Sequence, residues 1–201
     1  MSRRIVGDLS LLPDAAFGAR TLWWWGVLGF ILIEGGAFVL AGGAYFFLVS
    51  HTDPWPPHNA PPLLWLGTAF TALVLLSEIP NVLTKRAAYA EKLWPTRLGL
   101  IACSLAGLAL VAARFVEFGG LNVRWDDSAY GSVVWAMMVL HTAHLVTDVG
   151  DTLVLTLFTF THEVDRNRFS DVADGCIYWH FVILAWLPIY GLVYWAPRLL
   201  G

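Results

Sequence analysis

The chain has 201 residues, of which 58% are hydrophobic and only 13% are charged, and its mean hydropathy is +0.64. A soluble domain carries about 25% charged residues, so this composition excludes a fully water-facing surface and indicates an integral membrane protein. The formal net charge of −3 gives no support for nucleic-acid binding. Cys103 and Cys176 stand apart without metal-site spacing, which predicts buried, inert thiols rather than a disulfide framework or a zinc site.

Five apolar runs are long enough to cross a bilayer, which takes about 20 helical residues. Polar or proline-rich sequence separates them, and nothing indicates a second, soluble domain. The sequence therefore predicts an all-α, polytopic membrane protein: one membrane domain over residues 1–201, folded as a five-transmembrane-helix bundle. The predicted helices are 22–49, 62–83, 98–117, 131–160 and 177–196.

Lysine and arginine residues predict the direction of these helices. If the spans alternate, most of these residues fall on one side of the membrane and only three fall on the other. The positive-inside rule then places the N-terminus in the cytoplasm and the C-terminus outside. The larger group is Arg3, Arg4, Arg20, Lys85, Arg86, Lys92, Arg97, Arg166 and Arg168, and the smaller group is Arg114, Arg124 and Arg198.

The first apolar run, WWWGVLGFILIEGGAFVLAGGAYFF, carries one carboxylate, Glu34, near its centre. A lipid-exposed charge at that depth is costly, so Glu34 is expected to face protein or water, to be protonated, or both. It shares a helical face with Ala37, Ala41 and Tyr45, and the small alanines allow a neighbouring helix to approach closely. We therefore expect Glu34 to point into a helix contact, as a packing hydrogen bond or as a directly functional group.

The fourth run carries His141, His144, Asp148 and Asp151 within about 80° of one helix face. His144 and Asp148, at i and i+4, can pair. Three interpretations stay open: a hydrogen-bonded polar seam between helices, a proton or ion path, and a metal or haem site. The haem interpretation needs axial histidines on facing helices, and His180 is the other histidine in a predicted span that could supply one.

Other polar residues near the membrane are interpreted as ordinary surface groups. Arg114 and Glu117, at i and i+3 near the outer end of the third span, are predicted to form a surface pair worth about 0.3–0.5 kcal/mol. His51 and His58, in the proline-rich outer loop, are expected to be solvated. The sequence holds no nucleophile–base arrangement, phosphate loop, Rossmann glycine pattern or HExxH motif, so no catalysis is predicted within it.

Three segments together resemble subunit III of the haem–copper oxidases, the cytochrome c oxidase subunit 3 family, and the resemblance covers residues 20–197. The first span is similar to the family's Trp-Gly…Glu…Ala-Tyr-Phe helix. The fourth span contains YGSVVWAMMVLHTAHL, which is similar to the family's Tyr-Gly-Ser…His-Gly-x-His segment. IYWHFVILAW is similar to its Trp-Tyr-Trp-His-Phe-Val-Asp signature. The matching residues are Trp25, Gly26, Phe30, Ile31, Glu34, Phe38, Ala44, Tyr45, Phe46, Tyr130, Gly131, Ser132, His141, His144, Tyr178, Trp179, His180, Phe181, Val182, Trp186, Tyr190, Tyr194 and Trp195.

This resemblance implies a five-helix, bacterial-type accessory subunit in the cytoplasmic membrane, with no haem, copper or other metal of its own. It implies packing against the haem-containing catalytic subunit I, bound phospholipid between the helices, and support of proton uptake in aerobic electron transport. Glu34 corresponds to the family's intramembrane carboxylate, and His141, His144 and His180 to its recurring histidines. The motif residues expected in packing or lipid contact are Trp25, Phe30, Tyr45, Tyr130, Tyr178, Trp179 and Trp186.

The chain also departs from the family pattern. In the family an aspartate follows His-Phe-Val, and in this chain that position is Ile183. Ala173 occupies a position where an acid is usual, and Glu78 occupies one where a small or hydroxyl residue is usual. Asp148 and Asp151 are acids that the family pattern does not contain. One alternative is a homologue associated with a nitric oxide reductase. Another is a membrane haem b or metal-binding protein that uses the three histidines, and a third, an ion-coupled transporter, lacks the paired broken helices of inverted repeats.

Overall fold

The computed structural model describes Gly18 and residues 21–57 and 60–200, and within that part of the chain the regular structure is helical. Five helical segments there are long and apolar enough to cross a membrane. The predicted all-α, polytopic bundle is therefore confirmed. The elements are α1 (Leu22–His51), α2 (Leu64–Tyr89), α3 (Leu93–Phe118), α4 (Ala129–Thr161), α5 (Arg166–Tyr190), a π-helical segment (Gly191–Trp195) and α6 (Ala196–Leu199).

The direction of the helices across the membrane stays a prediction. Three of the arginines on which it rests, Arg3, Arg4 and Arg20, lie outside the described residues, as does His58. His51, the other loop histidine, is exposed at the end of α1.

Capping side chains, rather than the ends of the apolar runs, set where several helices begin. Thr21 accepts a hydrogen bond from the Trp24 amide at the start of α1, and Ser128 one from the Gly131 amide at the start of α4. Asp165 does the same for the amide of Arg168, so α5 begins well before its apolar run. The polar segment 161–175, expected to be a break, is therefore mostly helical, and only residues 90–92 separate α2 from α3.

Four of the long helices form the body of the bundle, and α1 lies at its edge. Helix α2 packs against α3 and α5, and α4 also packs against α3 and α5. Helix α1 packs against α4 and α5, and large apolar side chains such as Leu32, Ile33 and Leu40 along it are exposed, as suits a lipid-facing helix. The inner face of α1 thus packs against α4 and α5, and hydrogen-bond partners for the Glu34 carboxylate are expected on these two helices.

Two glycines permit close helix and loop contacts. A Cβ added at Gly107 would lie 2.5 Å from the Val149 side chain, so this glycine lets α3 and α4 approach closely. At Gly131 an added Cβ would meet the backbone carbonyl of Arg124, which has no side-chain freedom with which to move away. The first turn of α4 therefore requires a residue without a side chain.

The proline-rich loop after α1 folds back onto the bundle. Trp55 is only 4% exposed, and its indole N–H donates to the Tyr45 hydroxyl at 3.1 Å. Its ring meets those of Tyr45 and Tyr130 edge-on, at centroid distances of 5.1 and 5.0 Å. Trp55 thereby connects the C-terminal end of α1 to the start of α4. Of the two free cysteines, Cys176 is buried as predicted, whereas Cys103 is partly exposed.

Candidate functional site: buried polar clusters between the helices

Glu34 of α1 reaches two other helices through its carboxyl group. Its Oε2 accepts a hydrogen bond from the Tyr178 hydroxyl of α5 at 2.5 Å, and its Oε1 lies 3.1 Å from Nε2 of His144 on α4. The Glu34 side chain is 13% exposed and that of His144 is 8% exposed. The prediction that Glu34 points into a helix contact is confirmed, and these contacts join α1 to both of its neighbours.

The second nitrogen of His144 limits how this pair can be protonated. Its Nδ1 lies 2.5 Å from the backbone carbonyl of Leu140, which can only accept, so Nδ1 carries a hydrogen. A hydrogen bond between Nε2 and Glu34 then requires one proton shared by the two groups. That proton can reside on the imidazole, beside a carboxylate, or on the carboxyl, beside a neutral imidazole. In both forms the pair has no net charge, which suits burial in a membrane-spanning bundle.

His144 does not pair with Asp148 in the structure. The i, i+4 spacing is present, but His144 turns its Nε2 toward Glu34 of α1 instead. The ring of Phe38 packs beside both histidines of α4, with its centroid 5.0 Å from that of His144 and 6.4 Å from that of His141. Helical spacing shows which residues share a face, whereas a neighbouring helix decides which of them bond.

Asp148 and Asp151 differ in their surroundings although they lie one turn apart on α4. Asp148 is 5% exposed, and Asp151 is exposed. Both line a cavity of about 400 Å³ between α1, α4 and α5. Asp148 also borders an enclosed cavity of about 20 Å³ that reaches Ser77 and Asn81 of α2, which is large enough for one water molecule.

Arg114 and Glu117 form a buried ion pair rather than the predicted surface pair. Each side chain is 1% exposed, and Arg114 Nη1 lies 2.7 Å from Glu117 Oε2. The guanidinium lies between the rings of Phe70 and Trp186, at 3.7 and 4.3 Å from their centroids. The spacing identified the pair correctly, but its burial results from packing against other helices, which spacing along α3 does not reveal.

His141 belongs to this ion-pair cluster and not to the Glu34 site. Its Nδ1 accepts a hydrogen bond from Nη2 of Arg114 at 2.9 Å, and its Nε2 donates to the Val182 carbonyl at 3.1 Å. Tyr194 donates to the other oxygen of Glu117 at 2.6 Å. With one nitrogen accepting and one donating, His141 is neutral, and it connects α3, α4 and α5.

A third cluster joins α2 and α5 around His180. Its Nδ1 lies 2.6 Å from Oε1 of Glu78, and its Nε2 lies 3.4 Å from the Lys85 ammonium. Because the ammonium can only donate, Nε2 accepts and Nδ1 donates to the carboxylate. Asn81 supports the same carboxylate at 3.2 Å and also donates to the Cys176 carbonyl. The glutamate and histidine side chains are each 30% exposed, so this cluster borders the outer surface of the bundle.

The three histidines of the haem alternative thus have three separate sets of partners. Among the described residues no group of three or more His, Cys, Asp or Glu side chains could hold a metal ion. The aromatic motif residues also divide in two. Trp25 and Phe30 of α1 are exposed, and the buried ones are Tyr45, Tyr130, Tyr178, Trp179 and Trp186.

Several members of these clusters were not among the predicted site residues. Glu78, Arg114 and Glu117 satisfy the criterion that selected Glu34, since each is an ionisable residue within a membrane-spanning helix. Lys85 and Tyr194 gave no such signal, because a lysine near a helix end and a tyrosine near a predicted interface are common in membrane proteins.

Fold and clusters together define a multi-pass, all-helical membrane protein with buried polar contacts between its helices. The family model for cytochrome c oxidase subunit III matches residues 25–197. The chain therefore belongs to the cytochrome c oxidase subunit III family.

Curated relatives agree with that assignment. The chain is 27% identical over 202 residues to the cytochrome c oxidase subunit 3 of Schizophyllum commune, with 96% of this chain and 75% of the relative covered. It is 26% identical over 180 residues to that of Drosophila yakuba and 26% identical over 184 residues to that of Ornithorhynchus anatinus. In both cases 85% of this chain and 68% of the relative are covered.

Proposed function

We propose that this chain is the accessory, non-catalytic subunit III of a respiratory haem–copper oxidase, where it stabilises the catalytic subunit I and sustains its proton uptake. Membership of the family supports the assignment to the oxidase complex. The proposed contribution to proton uptake rests on one observation, the buried contact between Glu34 and His144.

That contact supports the proposal because it holds a proton that can change position without changing the charge of the pair. The hydrogen bond from Tyr178 fixes the carboxyl in place. The cluster is thus a proton-holding site between helices, and it needs no metal to function as one.

The proposal includes the cofactors and location of the chain. Haem and copper belong to subunit I, and phospholipid occupies clefts between the helices of this chain. The N-terminus lies in the cytoplasm and the C-terminus outside, in the cytoplasmic membrane of a bacterium. The excess of lysine and arginine on one side supports this orientation.

Affinity purification of the tagged chain from its native membrane tests the assignment. We expect a haem-containing partner to co-purify, and the chain separated from that partner to show no Soret band. Deleting the chain should leave electron transfer measurable but shorten the period over which the oxidase keeps turning over. A stoichiometric Soret band in the isolated chain, lost on His144→Ala, would show a haem protein instead.

The role in proton uptake has its own test. Oxidase complexes with Glu34→Gln and with Glu163→Gln are compared, since Glu163 is exposed in the α4–α5 connection and serves as the control. Proton uptake per turnover, followed with a pH indicator in liposomes, should decline sooner during turnover with Glu34→Gln only. Identical traces for both variants would contradict the proposed role while leaving the structural role intact.

A further inference from the structure

The cavity between α1, α4 and α5 has the size and the lining residues of a ligand-binding site. Its volume is about 400 Å³, within the range of small-molecule sites. Trp23, Phe30 and Tyr178 supply aromatic surface, and Gly26 and Gly175 leave space between the helices. Trp23 lies in the first turn of α1 and Phe30 about 10 Å further along the helix, so the cavity extends inward from that helix end.

Two carboxyl groups face this apolar space. Asp148 and Asp151 both line the cavity, and among the described residues its lining contains no lysine or arginine. Asp148 is 5% exposed, and among the described residues its carboxyl forms no hydrogen bond or ion pair. Buried carboxyl groups nearly always have a hydrogen-bond donor or a cation beside them. Within the described part of the chain Asp148 has neither, and the cavity in front of it has room for a ligand that would supply one. A water in the small cavity on its other side could hydrogen-bond to it but would bring no positive charge.

We propose that this cavity binds the ammonium group of a membrane amphiphile. The cation lies between the aromatic rings, which attract it through their π faces, and the carboxylates of Asp148 and Asp151 are its counter-ions. An ammonium that carries N–H groups also donates hydrogen bonds to these carboxylates. The alkyl chain extends past Phe30 to the exposed, lipid-facing surface of α1. An anionic head group that carries no amine is disfavoured, because the described residues of the lining supply two acids and no lysine or arginine.

This proposal deepens the lipid-binding part of the proposed function by specifying the charge of the bound head group. Its test measures binding to the purified chain rather than oxidase turnover. A cavity that binds nothing would leave the oxidase assignment standing, and a chain that belongs to no oxidase could still bind an amine. The two proposals therefore fail separately.

Calorimetric titration in a non-ionic detergent provides the test, with dodecyltrimethylammonium as the cationic probe and 1-dodecanol as the neutral one. We expect the cationic probe to bind about tenfold more tightly than the alcohol, and Asp148→Asn to remove that preference. Glu163→Gln, which removes an exposed carboxylate elsewhere, should leave it unchanged. Equal binding of both probes, or unchanged selectivity in Asp148→Asn, would overturn the proposal.

A second variant and a second assay make the result independent of folding defects. Asp151→Asn alters an exposed side chain and should weaken cationic binding several-fold while the chain remains folded. Native mass spectrometry from nanodiscs then identifies the source of the ammonium group. If the chain retains phosphatidylethanolamine and Asp148→Asn does not, the ammonium group belongs to a lipid head group. If the chain retains no phosphatidylethanolamine but still binds the alkylammonium probe, the ligand is a free amine. Equal retention of phosphatidylglycerol would contradict the proposal.

Discussion

The Glu34 carboxyl and the His144 imidazole lie 3.1 Å apart on helices α1 and α4. Because Nδ1 of His144 faces a backbone carbonyl, a hydrogen bond within this pair requires one proton between them. The hydrogen bond from Tyr178 to the same carboxyl adds α5 to the contact. Because α1 packs against α4 and α5, this single side chain bonds α1 to both of its neighbours. The contact is therefore a structural connection as well as the candidate proton-holding site.

Substitution of Glu34 should separate hydrogen bonding from charge. In Glu34→Gln the amide oxygen can accept from Tyr178 and the amide nitrogen can donate to His144, so we expect near-normal assembly. In Glu34→Ala both partners lose their bond, and the free energy of unfolding should fall by about 1–3 kcal/mol. Thermal denaturation of the detergent-solubilised protein measures this, with Glu163→Gln as the control. Equal losses in both Glu34 variants would indicate that charge dominates.

Removal of Arg114 should be among the most damaging changes in the bundle. Arg114→Met leaves the buried Glu117 without its cation and His141 without its donor, at a cost of about 3–5 kcal/mol. The double variant Arg114→Met/Glu117→Gln no longer buries a lone charge and should recover part of that loss. Denaturation midpoints of the two variants provide the comparison. A double variant less stable than Arg114→Met alone would contradict this account.

The contact between Glu78 and His180 should be detectable as a coupling energy. Their atoms lie 2.6 Å apart, so a double-mutant cycle with Glu78→Gln and His180→Ala should give about 1 kcal/mol. Arg168 and Asp171, at 3.4 Å and more exposed, serve as the reference pair and should couple much more weakly. A coupling near zero for both pairs would mean that the His180 cluster contributes nothing to folding.

Two glycine-to-alanine substitutions should have opposite outcomes. Gly131→Ala places a methyl group against the Arg124 carbonyl and should destabilise the protein by about 1–3 kcal/mol. Gly36→Ala, on α1, meets no atom within 4 Å and should be neutral or slightly stabilising, because alanine favours helix. Melting temperatures of the two variants check this, and a loss of stability at Gly36 would reveal a contact that α1 makes in the assembled complex.

The number of helices could be predicted from the sequence, because spanning length and apolar content are properties of consecutive residues. The helix ends could not, since one capping side chain, that of Asp165, moves the start of α5 well ahead of its apolar run. The inward face of Glu34 was predictable from the small residues beside it. Its bond to His144 was not, because the choice between Glu34 and Asp148 as partner depends on how α1 sits against α4.

The same limit applies to Arg114 and Glu117. Their i, i+3 spacing correctly predicted a pair, but the rings that enclose Arg114 come from Phe70 of α2 and Trp186 of α5. No periodicity within α3 contains that information. Pairing within a helix can thus be inferred from one chain segment, whereas its energetic weight depends on burial by others.

The π-helical turn at Gly191–Trp195 holds Tyr194 fully buried, with its hydroxyl on Glu117. A π-turn is equivalent to an α-helix with one residue inserted, so the backbone could lose a residue here and simply become regular. Tyr194 would then rotate by about 100° away from its acceptor. The extra residue of the π-turn therefore sets the rotation at which Tyr194 meets Glu117, and without it the buried carboxylate would lose this donor.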